Sequence, residues 1–124
     1  MKLMRIGEKG NEIPCVLDEQ SVARNVSSLI EDFGPESLGD ELFLRLQSAD
    51  LSSLPVVSQT GNRIGAPMRR PRTIYCIGLN YSDHSQEVGM IIPDEPVVFS
   101  KGSASFSGPN DDILYSPRAH KLDW

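Results

Sequence analysis

His84 and Glu87 are the two side chains whose types and spacing best suit acid–base chemistry in this sequence. They lie in residues 81–88, where the absence of Gly and Pro predicts one or two turns of helix. Positions three apart share a helix face, so the imidazole and the carboxylate should project together. A neighbouring carboxylate orients an imidazole and favours proton uptake from water. Most such pairs are instead solvated helix faces or structural contacts, and the spacing alone leaves both alternatives open.

Two short apolar segments must position this pair. Residues 73–77 (TIYCI) are rich in β-branched and aromatic side chains and predict a strand that is buried on both faces. Gly78 then permits a sharp exit from the strand. Residues 97–99 predict a second buried strand. Between them, residues 89–96 form a proline-containing loop, which is either an ordinary surface loop or a lid that excludes water.

Three blocks of the sequence resemble the fumarylacetoacetate hydrolase family. Residues 77–87 (IGLNYSDHSQE) are similar to the family signature. Residues 93–101 (PDEPVVFSK) and 107–113 (SGPNDDI) fit further family blocks in the same order and spacing. The resemblance is strong over residues 70–124. It is weaker over residues 1–65, which resemble the small N-terminal domain of the ureidoglycolate lyase-like and diketo-acid hydrolase branches.

The resemblance implies a metal-dependent hydrolase or lyase that breaks a carbon–carbon bond in a β-dicarbonyl or acylpyruvate-like acid, or acts on a ureidoglycolate-like substrate. It implies that His84 is the general base and Glu87 its orienting partner. Asn80, Tyr81 and Lys101 would bind substrate, with the lysine stabilising developing negative charge. The expected partners are a small keto acid and a second copy in a homodimer.

The resemblance also implies a Mg²⁺ or Mn²⁺ cofactor, but we expect no metal ligand within this chain. Family members continue from a Lys-x-Asp-Trp-like tetrad into a metal-binding Glu-x-Glu, and this sequence reaches that tetrad at residues 121–124. The ligands are therefore expected beyond Trp124, and the 124 residues alone should be inactive. Residues 110–112 (NDD) would suit a cation but are first a turn. A non-catalytic piece that serves only folding or oligomer contact is the alternative.

One departure from the family bears on the substrate. Leu79 stands where acylpyruvase-type members carry Arg, so a carboxylate-binding cation is missing at that position. This favours the ureidoglycolate lyase-like branch.

Composition narrows the function classes. The 39% apolar and 23% charged residues are typical of a soluble globular protein. The net charge of −5, without a basic stripe, argues against a nucleic-acid partner. No apolar run approaches membrane-spanning length, and the N-terminus lacks a signal-peptide pattern, so we expect no membrane partner and a cytoplasmic location. Cys15 and Cys76 are interpreted as small core side chains rather than zinc ligands or a disulfide.

The predicted fold class is α+β, with residues 1–65 as a small N-terminal domain and residues 66–124 as the first strands of a mostly β catalytic domain. Strands are predicted at residues 2–6, 13–17 and 21–24, and Pro14 suggests an edge position for the second. A capping box at Ser28 and Glu31 predicts a short helix ending near residue 33. Asp40 is predicted to cap a second helix through Ser48, because the apolar residues Leu42, Phe43, Leu46 and Ala49 fall near one face. A brief helical turn is predicted at residues 51–54. Unpaired edges in residues 66–124 predict disorder after residue 65 or pairing with another copy.

Overall fold

Short strands alternate with short helices along residues 1–120, which a computed structural model describes. The tetrad at residues 121–124, and the metal expectation attached to it, lie outside the described residues. The strands are β1 (Lys2–Ile6), β2 (Ile13–Leu17), β3 (Ala23–Asn25), β4 (Ile74–Gly78) and β5 (Val97–Lys101). The helices are α1 (Asp40–Ser48) and α2 (Ser82–Glu87), with single 3-10 turns at Leu51–Ser53 and Ser103–Ser105. The predicted α+β class is confirmed; the division at residue 65 stays a prediction.

The first three strands form an antiparallel sheet in the order β1-β2-β3, so β2 is central. The edge position predicted from Pro14 is therefore wrong. Pro14 lies opposite Arg5, whose carbonyl turns away from β2 and accepts the N–H of Gly65 at 2.8 Å. On the side of β3, the carbonyl of Pro14 accepts the N–H of Val26 at 3.0 Å, one residue beyond Asn25, where β3 ends. The missing N–H of Pro14 therefore removes no hydrogen bond from the sheet.

Residues 55–65 cover both edges of this sheet. Beside β3, the N–H of Val57 donates to the carbonyl of Ala23 at 2.9 Å. Beside β1, the N–H of Gly7 donates to the carbonyl of Arg63 at 2.9 Å. Exposed strand edges invite pairing with other chains, and this segment occupies part of each edge.

The core lies on both faces of β2, because successive strand residues point to opposite sides. One cluster joins the sheet to α1 and the preceding loop, and it comprises Val16, Val26, Phe33, Leu42 and Leu46. The other comprises Ile6, Cys15 and Ala23. Burial raises the pKa of the Cys15 thiol to about 11, so it remains protonated at neutral pH, as expected of a small core side chain.

The helix predictions had mixed outcomes. The helix through Ser48 is confirmed as α1, and it buries Leu42 and Leu46 on one face. The capping role of Asp40 is wrong, since Asp40 is the first helical residue and the cap position is Gly39, without a side-chain cap. The helix predicted from Ser28 and Glu31 is wrong, since those residues lie in a turn. Nearby side chains provide other partners for the backbone: Asn25 Oδ1 accepts the N–H of Ser27 at 2.8 Å, and this kind of local bond competes with helix. Within residues 1–120 no helix is long and apolar enough to cross a bilayer.

Strands β4 and β5 form a separate two-stranded antiparallel sheet, which we call the β4–β5 ribbon. Its register places Ile74 opposite Lys101 and Gly78 opposite Val97. Both strands were predicted, but their predicted burial on two faces is wrong for the described residues, since every residue of β5 is exposed. Residues 66–120 include defined elements rather than a disordered tail. Pairing with another copy stays a prediction.

Candidate active site

The turn at the end of β4 is made by Leu79 rather than by the glycine before it. Gly78 remains in the strand, where a Cβ would make ordinary contact with Val97 at 3.5 Å. Leu79 instead has a φ of 51°, in the left-handed region. That conformation costs a residue with a Cβ about 1 kcal/mol, and such outliers cluster at functional sites. The expectation that Gly78 makes the exit is therefore wrong by one residue.

Helix α2 begins after this turn, as predicted, and ends in a defined C-terminal motif. Gly89 adopts a φ of 66°, and its N–H donates to the carbonyl of Gln86 at 3.1 Å. The N–H of Met90 reaches back to the carbonyl of Ser85 at 2.9 Å. These two bonds are those of a Schellman motif, which satisfies carbonyls left free at a helix end. The extended backbone of Tyr81 before the helix and the left-handed Gly89 after it limit α2 to Ser82–Glu87.

The structure places His84 and Glu87 on the same face of α2, as their spacing predicts. His84 Nδ1 lies 3.7 Å from Glu87 Oε2, and the two side chains are 53% and 78% exposed. This distance is too long for a hydrogen bond. Catalytic hydrogen bonds are often long in ligand-free enzymes and shorten in the reacting complex, so the geometry is compatible with a base and its orienting group.

The other predicted site residues divide into two groups. Asn80 lines a cleft of about 250 Å³ between residues 77–80 and 92–96, and Tyr81 is the exposed residue that immediately precedes α2. Lys101 lies at the other end of the β4–β5 ribbon, opposite Ile74 and four residues from the Gly78 end. At ~3.3 Å per residue this is ~13 Å along the strand. The cleft is lined by neither His84 nor Glu87.

Ser85 is a feature of α2 that the sequence did not indicate. Its side chain is buried, and its hydroxyl has no hydrogen-bond partner among residues 1–120. Buried polar atoms are nearly always paired in folded proteins, so an unpaired one beside the candidate pair requires an explanation. Its sequence signal is weak, since a serine in a short polar helix is ordinarily assigned to the surface.

The described residues do not supply a divalent-cation site. Within residues 1–120, no three His, Cys, Asp or Glu side chains are grouped so that they could hold a metal ion. Residues 110–112 were interpreted first as a turn and second as a cation site. The turn is present, since the N–H of Asp111 donates to the carbonyl of Gly108 at 3.3 Å. Hard cations need several oxygen ligands held together, and this part of the chain does not offer them.

A charged network unites residues that are distant in sequence. Arg5 donates to Asp32 at 2.7 Å and to Glu12 at 2.9 Å. Arg63 donates to the other oxygen of Glu12 at 2.8 Å and to Asp111 at 2.6 Å. Burial would raise the pKa of Glu12, but the hydrogen bond from Arg63 and the other favourable contacts lower it on balance. The hydrogen bond from Arg63 lowers the pKa of Asp111 to about 2. Sequence reasoning missed this network.

Comparison with known proteins identifies the relatives. Residues 73–124 match the sequence model of the family described as fumarylacetoacetate (FAA) hydrolase, C-terminal. All 124 residues align at 43% identity with proteins provisionally named hydrolases from Burkholderia ambifaria and Burkholderia multivorans. The chain spans 44% of the length of these relatives.

Structural comparison agrees with the sequence comparison. The crystal structure of a protein provisionally named HpcE, from Mycobacterium smegmatis, superimposes with a TM-score of 0.70 at 27% identity. That alignment covers 94% of this chain and 41% of the other. The motif resemblance, the family model matched by residues 73–124 and this shared fold agree on what the chain is similar to: part of a fumarylacetoacetate hydrolase family protein.

Proposed function

We propose that this chain supplies the general base of a hydrolase or lyase that breaks a carbon–carbon bond in a β-dicarbonyl or acylpyruvate-like acid. The observation that carries the proposal is the His84–Glu87 pair. The pair shares one face of α2, directly after the turn at Leu79, inside the segment that matches the family model. Because the chain spans 44% of its relatives, the activity is assigned to a protein of that full length.

The proposed chemistry assigns one proton transfer to the pair. Glu87 orients the imidazole of His84, which takes a proton from water as the oxygen attacks the substrate carbonyl. The carbon–carbon bond next to that carbonyl then breaks, giving a carboxylic acid and an enolate. His84 returns the proton to the enolate carbon, and the reaction balances as the addition of one water. The solvent exposure of His84 in this structure supports access of water to the base.

One local feature supports a site at α2. The left-handed backbone at Leu79 is maintained although it is strained, which suggests that the turn has a positional role. Asn80 and Tyr81 are adjacent to this turn, and we propose that they contact the substrate.

The proposed metal ligands and Lys101 are the parts of the proposal that lie apart from the His84–Glu87 pair. A divalent cation such as Mg²⁺ or Mn²⁺ would polarise the substrate carbonyl as a Lewis acid. Since the described residues hold no ligand set, the proposal places its ligands in other sequence of the full-length protein. Lys101 can join the same pocket only if the full-length protein, or a second copy in the proposed homodimer, brings its end of the ribbon to the substrate.

The test uses the full-length protein that carries these residues, supplied with Mn²⁺ and an acylpyruvate. His84→Ala should lower kcat by ~100-fold or more, the usual contribution of a general base. Glu87→Gln should have a smaller effect on kcat because it removes only the orienting charge. Gln86→Ala is the matched control, since Gln86 is an exposed residue between them on α2.

A second candidate is a non-catalytic role in folding or oligomer contact, and the exposed apolar side chains of the β4–β5 ribbon favour it. The same experiment separates the two. If the His84→Ala protein folds and turns over substrate at the rate of the Gln86→Ala protein, His84 is removed from the mechanism and the contact role is favoured.

A further inference from the structure

We infer that Arg63 is a positioning residue that docks residues 108–111, the Gly-Pro-Asn-Asp turn, onto the N-terminal sheet. The inference goes beyond the proposed function, because it concerns how the segment after β5 is held rather than how a bond is broken. Two independent features of the structure carry it: a paired set of charges and a close approach of two backbones.

The charges are arranged so that Arg63 bridges two carboxylates. Its Nε donates to Asp111 Oδ1 at 2.6 Å, and its Nη2 donates to Asp111 Oδ2 at 2.7 Å. Its Nη1 donates to Glu12 Oε1 at 2.8 Å. The side chains of Asp111 and Glu12 are 16% and 5% exposed, so these contacts are largely shielded from water. Two parallel bonds between a guanidinium and a carboxylate fix both distance and orientation.

Arg63 is itself fixed to the sheet. Its Nη1 donates to the carbonyl of Gly7 at 3.2 Å, and its own carbonyl accepts the N–H of Gly7 at 2.9 Å. Two residues on, the N–H of Gly65 donates to the carbonyl of Arg5 in β1 at 2.8 Å. Because the sheet holds Arg63 in place, the position of the sheet also fixes where the carboxylate of Asp111 lies.

The close backbone approach lies at Gly108. A Cβ at this position would collide with the carbonyl oxygen of Ile64 and come within 3.2 Å of the Cα of Gly65. The N–H of Gly108 donates to Asp111 Oδ2 at 2.8 Å, which closes the turn on the carboxylate that Arg63 holds. Only a residue without a side chain permits this approach, and the requirement does not depend on charge.

Two consequences follow. Both oxygens of Asp111 are occupied by Arg63 and by the turn, so this carboxylate is a structural acceptor rather than a cation ligand. Lys101 precedes the docked turn by only seven positions, so the N-terminal sheet restricts where the end of β5 can lie. In the proposed function, that restriction would help to place Lys101.

Amide hydrogen exchange of the 124-residue chain, followed by NMR, tests the inference. Asp111→Asn should speed exchange at the Gly108 N–H by about tenfold or more, while amides of β2 keep their protection. Asp112→Asn is the matched control, because Asp112 is the exposed neighbour of Asp111. It should leave the exchange rates of both groups of amides unchanged. Gly108→Ala should also loosen the turn, whereas Gly102→Ala should not, because a Cβ at Gly102 meets nothing within 4 Å.

Arg63 variants test whether protection of the Gly108 N–H depends on the contact between Arg63 and Asp111. Arg63→Ala should reproduce the exchange of Asp111→Asn, and the double variant should add little, because both changes break the same pair. Arg63→Lys should restore protection only in part, since one ammonium cannot make two parallel bonds. Additive effects, or an Asp111→Asn chain that exchanges like the unsubstituted one, would overturn the inference.

Mn²⁺ addresses the cation alternative directly. Paramagnetic broadening that is centred on Asp111 in the unsubstituted chain, and lost in Asp111→Asn, would show a metal ligand and overturn the assignment. We expect no such centre. These measurements use no substrate, so their failure would leave the His84 proposal standing, and loss of that proposal would leave the docking of the turn intact.

Discussion

The N-terminal sheet, together with the loop and helix packed on it, and the β4–β5 ribbon contain similar apolar side chains, which are buried in the first region and exposed in the second. Phe33 and Val16 are fully buried, whereas Phe99 is 44% exposed and Val98 is 60% exposed. The difference lies in their neighbours rather than in the strands. The sheet packs against α1 and is flanked by residues 55–65, while an isolated two-stranded ribbon is marginally stable at best.

The comparison indicates different roles for the N-terminal sheet and the β4–β5 ribbon within residues 1–120. The N-terminal sheet has a closed core and carries the Arg63 contact, so it acts as a scaffold. The proposed base, His84, lies in α2, which follows β4 and precedes β5 along the chain. This is the region whose side chains are incompletely packed. Exposed apolar strand residues of this kind are typical of contact surfaces, and the β4–β5 ribbon carries several of them.

The same truncation in the two regions should have the most unequal effect. Phe33→Ala should lower the free energy of unfolding by about 3–5 kcal/mol, because it leaves a cavity in the core. Phe99→Ala should lower it by about 1 kcal/mol or less, since much of the ring is already solvated. Urea denaturation followed by circular dichroism measures both. Equal losses would mean that the ribbon is packed as tightly as the sheet.

The next largest contrast should be between two glutamates. Glu12→Gln leaves Arg5 and Arg63 short of a buried counter-charge and should cost about 3 kcal/mol. Glu41→Gln removes an exposed pair with Arg45 and should cost about 0.5 kcal/mol or less. The same denaturation curves report both values. If Glu12→Gln were as mild as Glu41→Gln, the network would not contribute to the stability of the scaffold.

The smallest expected effect is a dependence on acid. Because Arg63 lowers the pKa of Asp111 to about 2, from 3.8, the ionised carboxylate stabilises the folded chain above pH 4. That contribution should be lost as the pH falls through about 2, where the folded chain also binds the proton. Asp111→Asn should therefore be less stable than the unsubstituted chain near neutral pH, with the difference shrinking as the pH falls from about 4 through 2. A difference that stayed constant from neutral pH to pH 2 would need another cause.

Local patterns in the sequence were sufficient for several elements. Alternating and apolar runs predicted β1, β2, β4 and β5, and the spacing of leucines predicted α1. The shared face of His84 and Glu87 also followed from helical periodicity alone. These succeeded because each depends on residues only a few positions apart, where backbone geometry fixes which side chains are neighbours.

Sequence reasoning failed where a distant segment changed the outcome. Pro14 was assigned to an edge, but the pairing of β2 on both sides left its missing N–H where no donor was needed. The helix predicted after Ser28 is absent, and Asp32, within that predicted segment, is held by Arg5 in β1, 27 residues away. Leu79 rather than Gly78 makes the turn before α2, although glycine is the usual choice for a left-handed residue.

The sequence by itself determined the family resemblance, the order of the main elements and the face on which the candidate base and its partner lie. Only the tertiary structure decided which strands are covered, that Arg63 holds Asp111 across 48 positions, and that Lys101 lies at the far end of the ribbon from the helix. The physical reason is the separation along the chain of the residues that make each contact. Motifs and periodicity express contacts along the chain, whereas burial and ion pairing depend on which distant segments meet, and the folded arrangement alone specifies those meetings.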